Sequence, residues 1–374
     1  MKNMLQLQFK NFITLQRGFD LPKKDRVLGD YPVVASTAIN GYNAEHKVQP
    51  PGVVTGRSGS LGEVLYIDKP FWPLNTTLWV KDFIGNLPLY VYYFLKTLDL
   101  KQYNSGAGVP TLNRNHLDTL EIAIHDFQSQ RKIASILSAY DDLIENNLRR
   151  IKILEEVAQN LYREWFVKFR FPGHENVRMV DSPLGKIPEG WAVVKVGSLL
   201  EKIKRKKRVK KQDYESEGTI PVVDQGRGFI GGYTTDQEAL HDKPLPIIVF
   251  GDHTRVLKYV DFPFACGADG TQLLRPNTEQ MPISLFYYAL KSIDLSDFAY
   301  ARHFKFLKEQ EVFVPNEQIA RLFAQVADPM RDLIRCLLSR NTNLRRTRDL
   351  LVPKLISGEL NVSNLDIKTG GLIE

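Results

Sequence analysis

Two pairs of polar segments occupy corresponding places in the two halves of the sequence. The segment RSGS (residues 57–60) corresponds to DHTR (252–255), and NRNH (113–116) corresponds to RHFK (302–305). Arg, Asn, Ser, Thr and His carry the donors that pair with base edges in the DNA major groove, and Arg on guanine is the commonest such pairing. Because these residue types recur at matched positions, we interpret the segments as loops that contact bases rather than as ordinary turns.

A strongly basic segment lies near the beginning of the second half. Residues 202–211 contain eight Lys or Arg in ten positions. Such a run is typical of a solvated surface or of a patch that contacts phosphates without reading bases, and we favour phosphate contact. The candidate DNA contacts from these loops, the basic segment and other cationic positions are Arg17, Lys23, Lys24, Arg57, Ser58, Ser60, Asn113, Arg114, Lys204, Arg205, Lys206, Arg227, His253, Thr254, Arg255, Arg302, His303 and Lys305.

One glycine-rich segment has the spacing of a dinucleotide-binding loop. GRGFIG (residues 226–231) follows the strand-like residues 220–223, as such a loop would. The next residues, GYTT (232–235), start a helix poorly, and the corresponding residues 35–40 contain no glycine. We therefore predict a loop between strands and no cofactor there.

Other catalytic signatures are missing from the sequence. It has no Gly-x-x-x-x-Gly-Lys-Ser/Thr phosphate loop and no Asn/Asp-Pro-Pro-aromatic motif of an amino-methyltransferase. Its seven histidines form no His-x-x-x-His or His/Cys pairing that would bind a metal. We expect no catalytic residue, no cofactor and no metal ion in this chain.

The composition limits the classes of protein to which this chain can belong. The 374 residues suffice for two domains or slightly more. The net charge of +7 is compatible with a polyanionic partner but too small to establish one. Two cysteines, Cys266 and Cys336, exclude a disulfide scaffold. No amino-terminal segment resembles a signal peptide and no apolar run has the length of a membrane span, so we expect a cytoplasmic protein with no membrane partner.

The sequence contains an internal repeat with a period of about 190 residues. YPVV (31–34) returns as IPVV (220–223), and residues 89–96 return as residues 285–291. Each copy has short β-branched and aromatic runs separated by Gly, Pro and Asn, one amphipathic helix, and then a long helical segment. This pattern predicts an α+β fold, with two α/β modules in tandem separated by two long antiparallel coiled-coil helices.

The two long segments carry apolar residues at heptad spacing. Ile319, Val326 and Leu333 supply the second seam position of the later segment, and Pro329 predicts a kink or a restart there. Asn147 is a lone polar seam residue of the kind that fixes register. The main seam residues are Leu137, Tyr140, Ile144, Asn147, Ile151, Leu154, Leu161, Phe323, Met330, Leu337 and Leu344.

Helices with such seams need a partner, because packing of an apolar face supplies most helical stability. The simplest partner of each is the other, in an antiparallel pair. At about 1.5 Å per residue, a helix of about forty residues extends roughly 60 Å. The alternative is that both are ordinary core helices of one compact domain.

Several segments resemble one known family. They are QRKIASILSAYDDLIENN (130–147), LYREWFV (161–167), FRFPGH (169–174), GKIPEGW (185–191), QRGFDLP (16–22) and LLVPKLISGEL (350–360). On these residues the chain resembles the DNA-specificity (S) subunit of a type I restriction-modification enzyme over essentially its whole length. Copy one lacks the Pro and Trp that open copy two, so we expect its first strand to be shortened or supplied by the tail after Leu360.

The resemblance implies a function and partners. Each module would be a target recognition domain that reads one half of a split, asymmetric double-stranded DNA sequence, and the helices would fix the spacing between halves. The helices would also bind two methyltransferase (M) subunits, which carry S-adenosylmethionine, and ATP-driven restriction (R) subunits can join the assembly. The implied domains are residues 1–127 (domain 1), 128–170 (central helix), 171–315 (linker and domain 2), 316–360 (carboxy-terminal helix) and 361–374 (tail).

Two other functions stay open. One is a free-standing nucleic-acid-binding protein that uses two modules for avidity, which would bind DNA or RNA without a methyltransferase partner. The other is an enzyme with an active site inside a module, although no motif supports it.

Overall fold

A computed structural model describes residues 4–106, 108–204, 206–268, 270–297 and 302–367. The chain divides into two compact units. Unit 1 comprises Met1–Asn146 with Arg340–Glu374, and unit 2 comprises Asn147–Ser339. Of the candidate DNA contacts, Arg205 lies outside the described residues.

Short strands and one amphipathic helix form the globular part of unit 1. Its strands are β1 (Met4–Gln8), β2 (Thr14–Arg17), β3 (Tyr31–Val34), β4 (Ile39–Asn43), β5 (Gly52–Gly56), β6 (Val64–Ile67), β7 (Trp72–Pro73), β8 (Thr77–Asp82) and β9 (Glu121–His125). Its helices are α1 (Pro88–Thr97) and α2 (Arg114–Asp118), and α3 (Phe127–Tyr162) begins here and continues into unit 2.

Unit 2 contains the corresponding elements. A π-helical turn, Arg163–Val167, ends α3. The strands are β10 (Met179–Ser182), β11 (Gly185–Pro188), β12 (Ala192–Lys195), β13 (Ile220–Val223), β14 (Gly232–Thr234), β15 (Leu240–His241), β16 (Ile247–Gly251), β17 (Leu257–Val260), β18 (Phe264–Cys266), β19 (Thr271–Leu274) and β20 (Glu311–Val314). The helices are α4 (Ile283–Ser292), α5 (His303–Glu309) and α6 (Glu317–Ile356), which ends in unit 1.

The strand pairing repeats between the units, which confirms the predicted repeat and α+β fold. Unit 1 has sheets β2-β8-β5-β6 and β4-β3-β7 and the pair β1-β9. Unit 2 has sheets β17-β16-β19 and β14-β13-β18-β15 and the pair β12-β20. In both units one strand pair is parallel, β3 with β7 and β13 with β18. The central strands β5 and β16 are buried along their whole length, which explains their β-branched and aromatic residues.

The expectation for the first strand of copy one is wrong. β1 is present and pairs with β9 across five residue pairs, as β12 pairs with β20 across four. The tail instead packs beside the beginning of α3. Val362 is buried there, and Lys132 Nζ donates to the carbonyl oxygens of Val362 at 3.3 Å and Ser363 at 2.7 Å.

Helix α6 runs without interruption through Pro329, so the predicted restart is also wrong. Proline removes the N–H that would bond to the carbonyl of Gln325. Pro329 and Gln325 are both exposed, and water can therefore satisfy the freed carbonyl.

The long helices pack through their seams within each unit. Val326 and Leu333 are 40% and 37% exposed, so their assignment to the seam of α6 is wrong. Ala327, Ile334 and Asn341 are buried in their place. Among the main seam residues, Leu137, Ile144, Asn147, Phe323 and Leu337 are buried, whereas Tyr140, Ile151, Leu154, Leu161, Met330 and Leu344 are half-buried.

One acid–arginine pair joins the two long helices in each unit. In unit 1, Arg348 of α6 contacts Asp141 of α3, and Asp141 Oδ2 also accepts a 2.5 Å hydrogen bond from Tyr93 Oη of α1. Here α3 and α6 run antiparallel, because Asn341 Nδ2 donates to the carbonyl of Ile144 farther along α3. Through Tyr93, this pair also contacts α1, so it fixes how α1 docks on the two long helices.

In unit 2, Arg331 of α6 contacts Glu155 of α3, and Lys291 Nζ of α4 lies 2.7 Å from Glu155 Oε2. The guanidinium of Arg331 is also stacked over the rings of Tyr259, at 4.3 Å, and Tyr287, at 4.9 Å. Arg331 is only 7% exposed. A buried guanidinium is stable only when it is paired in this way.

We predict that Arg331→Met lowers the free energy of unfolding by about 3 kcal/mol, because it removes the stacked guanidinium and leaves Glu155 with Lys291 alone. Urea unfolding followed by tryptophan fluorescence measures the change. The control is Arg346→Met on an exposed face of α6, which should change stability by less than about 0.5 kcal/mol. Equal effects of the two substitutions would show that the Arg331 pair does not stabilise the unit.

Candidate nucleic-acid interface

In unit 1 the two predicted segments lie side by side. The prediction of a loop is wrong for residues 113–116, because Asn113 caps helix α2 and Arg114 begins it. The N–H of Leu112 donates to the carbonyl of Arg57 at 2.8 Å, and the N–H of Gly59 donates to the carbonyl of Pro110 at 2.9 Å. Ser36 Oγ donates to the carbonyl of Ser58 at 2.9 Å. These bonds place residues 57–60 against the segment that leads into residues 113–116, so the polar side chains of both segments share one surface.

A cleft of about 750 Å³ opens on this surface. Four of the predicted contacts line it: Arg17, Arg57, Asn113 and Arg114. The other lining residues include Phe19, Asp20 and Thr111. A cleft with three arginines suits an anionic or hydrogen-bond-accepting ligand.

Each of these arginines has a protein contact and retains other donors. Arg57 Nη1 donates to the carbonyl of Asn75 at 3.0 Å, and Arg114 Nη1 donates to the carbonyl of Leu15 at 3.3 Å. Arg17 forms an exposed ion pair with Asp20 at 4.0 Å. Because a guanidinium has five N–H groups, one bond to the protein orients it without using up its capacity. Ser60, Lys23 and Lys24 are exposed nearby in sequence, and Ser58 is half-buried.

In unit 2, Asp252 joins the two corresponding segments. The prediction of a loop is wrong for residues 302–305 as well, because helix α5 begins at His303. Its carbonyl accepts hydrogen bonds from the backbone N–H and from Nδ1 of His303, both at 2.9 Å. Its carboxylate Oδ1 accepts from the N–H of Phe304 at 2.8 Å. His303 is 6% exposed, so its ring holds the loop in place. Arg302 and Lys305 on either side are exposed and available for contacts with a ligand.

A third loop, between β13 and β14, belongs to the same cluster. Gln225 Oε1 accepts from the N–H of His253 at 3.1 Å, and the carbonyl of Gln225 accepts from Thr254 Oγ1 at 2.6 Å. Arg227 is exposed at this loop. The prediction that residues 226–231 form a loop between strands is confirmed. Arg255 has a positive φ of 61°, and its Nη1 donates to the carbonyl of Leu295 at 3.0 Å.

The basic segment runs past this cluster and is only partly solvated. Val209 is buried and bridges to Gly267, and Arg208 Nη1 donates to the carbonyl of Ala268 at 3.4 Å. Lys207 Nζ lies 2.7 Å from Asp236 Oδ2, and this hydrogen bond raises the pKa of Lys207. Lys204 and Lys206, the described candidate contacts of this segment, are exposed and accessible to phosphates.

Sequence reasoning missed the residues beneath the loops of unit 2. Asp224, Gln225, Asp252 and Lys258 hold the loops through hydrogen bonds and an ion pair. One signal was available. Lys258 interrupts the otherwise apolar strand LKYV (β17), and a charged residue in such a strand needs a specific partner.

Two further properties concern the described residues alone. They bring no three His, Cys, Asp or Glu side chains together as a metal site would require. Within the same residues, every helix is too short or too polar to cross a bilayer.

Comparison with known proteins identifies the family. Residues 6–156 and 188–336 match the family described as type I restriction modification DNA specificity domain. These two matches coincide with the two copies of the repeat and cover most of the chain. The chain therefore belongs to the family of type I restriction-modification specificity subunits.

Individual relatives agree with this assignment. The specificity subunit of the type I restriction enzyme MjaIX from Methanocaldococcus jannaschii is 26% identical over 322 residues, which cover 78% of this chain and 74% of the relative. The MjaVIII specificity subunit of the same organism is 21% identical over 310 residues, covering 74% and 71%. Among solved structures, the S subunit of a type I restriction-modification system from M. genitalium has a TM-score of 0.62 at 19% identity and covers 95% of this chain and 96% of its own. The likeness to the M. genitalium S subunit shows that the two proteins share a fold.

We predict that the two cysteines differ in reactivity. Cys266 lies buried in β18 beside the loop cluster, and burial raises the pKa of its thiol to about 11, whereas Cys336 is exposed on α6. Since the thiolate is the reactive form, a colorimetric disulfide reagent at pH 8 should modify Cys336 in the native chain and both cysteines only in denaturant. Cys336→Ser should abolish the native reaction. Rapid native modification of Cys266 would contradict the packing of β18.

Proposed function

We propose that this chain is the non-catalytic sequence reader of a type I restriction-modification complex. Each unit would read one half of a bipartite, asymmetric double-stranded DNA target. The observation that carries the proposal is that each unit brings its own pair of matched segments, rich in Arg, Asn, Thr and His, together by hydrogen bonds within that unit. Donors of these types, held by a rigid sheet, are suited to base edges in the major groove.

The long helices suggest how the two readings are combined. Helix α3 has 36 residues, about 54 Å at 1.5 Å per residue, and it contributes to both units. We propose that α3 and α6 set the spacing between the half-sites and bind two methyltransferase (M) subunits. S-adenosylmethionine and ATP would then be bound by the M and restriction (R) subunits and not by this chain. The cytoplasmic location expected from the sequence remains a prediction.

Purification of the tagged chain from its own host tests the assembly. We expect an M subunit to co-purify at two copies per chain. The native mass should equal that of one chain with two M subunits. Recovery of a folded chain with nucleic acid and without a protein partner would contradict this and favour the free-standing two-module binder. Methylation or cleavage of DNA by the purified chain alone would instead contradict its non-catalytic role.

Substitution of arginines in the matched segments tests the readout. Arg114→Ala in unit 1 and Arg302→Ala in unit 2 change matched residues at the beginning of helices α2 and α5. Each should relax the sequence preference at one half-site only. A good bidentate base contact gives about 1–3 kcal/mol of discrimination, or roughly 5- to 150-fold. Mapping of methylated sites on a randomised DNA library, using the complex with its M subunit, measures the preference.

The matched control replaces Lys204 and Lys206 together by Ala. Since phosphate contacts carry no sequence information, this variant should weaken binding to all sequences and reduce its salt dependence. Lys207→Ala should have a smaller effect because Asp236 already pairs with that ammonium. An unchanged preference in both arginine variants would show that these segments do not read bases.

A further inference from the structure

Lys258 is a buried lysine whose ammonium group lies beneath the loop between β13 and β14. It is 3% exposed. Its Nζ donates to the carbonyl oxygens of Asp224 and Gly228, both at 2.6 Å, and lies 3.7 Å from Asp224 Oδ1. Burial lowers the pKa of Lys258, and the Asp224 carboxylate acts in the opposite direction. An ammonium with three donors is thus directed at three oxygens of one loop.

These contacts fix both ends of a short glycine-rich turn. Asp224 and Gly228 flank Gln225, Gly226 and the exposed Arg227. Asp224 Oδ1 accepts from the N–H of Gly226 at 2.8 Å. Glycine loops have many accessible conformations, so a turn of this composition needs such bonds to present Arg227 in one position.

The same turn supports the neighbouring loop. Gln225, one residue after Asp224, bonds to the backbone N–H of His253 and to Thr254 Oγ1. Gly270, with φ of +67°, also approaches closely, since a Cβ there would lie 2.8 Å from Gln225 Nε2 and 2.7 Å from His253 Cδ2. A shift of the turn would therefore displace His253 and Thr254 as well as Arg227.

Unit 1 uses different chemistry at the corresponding position. Lys258 pairs with Val249 in the central strand β16, and Leu65 pairs with Val54 in the central strand β5. Leu65 packs with Phe19 and Trp79 in an apolar cluster. The position beneath the loops is thus apolar in one unit and ionic in the other, so a single substitution can affect one unit selectively.

We infer that Lys258 is a positioning residue for DNA readout by unit 2: with Asp224 and Gln225 it fixes the Arg227 turn and the His253–Thr254 loop as one rigid contact surface. This inference rests on the proposed function. Lys258 itself contacts no DNA, because its ammonium is enclosed by the loop. It acts by limiting the positions of exposed donors, and sequence discrimination depends on that limit.

The test uses the complex with its M subunit and maps methylated sites on a randomised library. Arg227→Ala first identifies the half-site positions that the turn reads. Lys258→Met keeps the length and apolar stem of the side chain and removes the ammonium. We expect Lys258→Met to relax preference at those same positions by about tenfold, within the range of one lost base contact, and to leave the other half-site unchanged.

Two controls and a second test variant separate positioning from general destabilisation. Leu65→Met makes the same final residue at the matched position of unit 1 and should leave both half-sites unchanged. Val260→Ala creates a cavity in the same strand β17, at a fully buried residue of the sheet core, and should lower the thermal midpoint without changing the preference. Asp224→Asn keeps the acceptor for Gly226 and removes the ion pair, so it should relax the same positions if Lys258→Met does not fold.

The outcomes distinguish the inference from the proposed function. Relaxation by Lys258→Met at the Arg227 positions, without relaxation by Val260→Ala, supports the inference. If Arg227→Ala relaxes a half-site while folded Lys258→Met and Asp224→Asn retain the wild-type preference, the positioning role is overturned and the proposed function stands. Equal relaxation by Val260→Ala also overturns the positioning role, because a general loss of stability in unit 2 would then explain the relaxed preference. If Arg227→Ala changes neither half-site, the role of this turn in readout fails, and the inference fails with it.

Discussion

The structure of each unit depends on an ionic contact between the two long helices, which is half-buried in unit 1 and involves the buried Arg331 in unit 2. Asp141 with Arg348 in unit 1, and Glu155 with Arg331 in unit 2, also reach tyrosines of the globular part. Apolar seams tolerate small shifts along a helix, whereas a buried charge without its partner is strongly unfavourable. The pairs therefore fix the register of α3 against α6 within each unit, and they fix how α1 or α4 docks on that pair.

The positions of the loops depend on this packing of the helices. The helices α1 and α4 pack against the sheets whose central strands, β5 and β16, end at the candidate DNA contacts. Hydrogen bonds that Ser36 donates in unit 1, and that Asp252 and Gln225 accept in unit 2, then join the neighbouring segments. A surface built on rigid strands can present exposed arginines with little freedom, which is what recognition of a base sequence requires.

The two units present similar surfaces, but the residues packed beneath these surfaces differ. In unit 1, Leu65 occupies the position that corresponds to Lys258 and packs in an apolar cluster, whereas in unit 2 Lys258 pairs with Asp224 beneath the loops. The central strand pairs correspond in both units, although the corresponding sheets differ in strand number. The repeat therefore preserves the central backbone arrangement while the residues beneath it differ. Because the interiors of the two units differ, a substitution beneath the loops can change the surface of one unit without altering the other.

The sequence by itself determined the repeat, the presence of short strands in each copy and the two long helices, because these follow from local periodicity and turn residues. It also matched the polar segments of the two copies, but Arg114 and His303 begin helices where loops were predicted. Tertiary structure decided which residues face inwards. Asn341 is buried in the seam while Leu333 is exposed, and His303 holds a loop while Arg302 is free to project. It also decided that Lys258, Asp224 and Gln225 meet, because these residues are brought together by sheet pairing between distant strands. Contacts of that kind depend on three-dimensional packing, which periodicity along the chain does not encode.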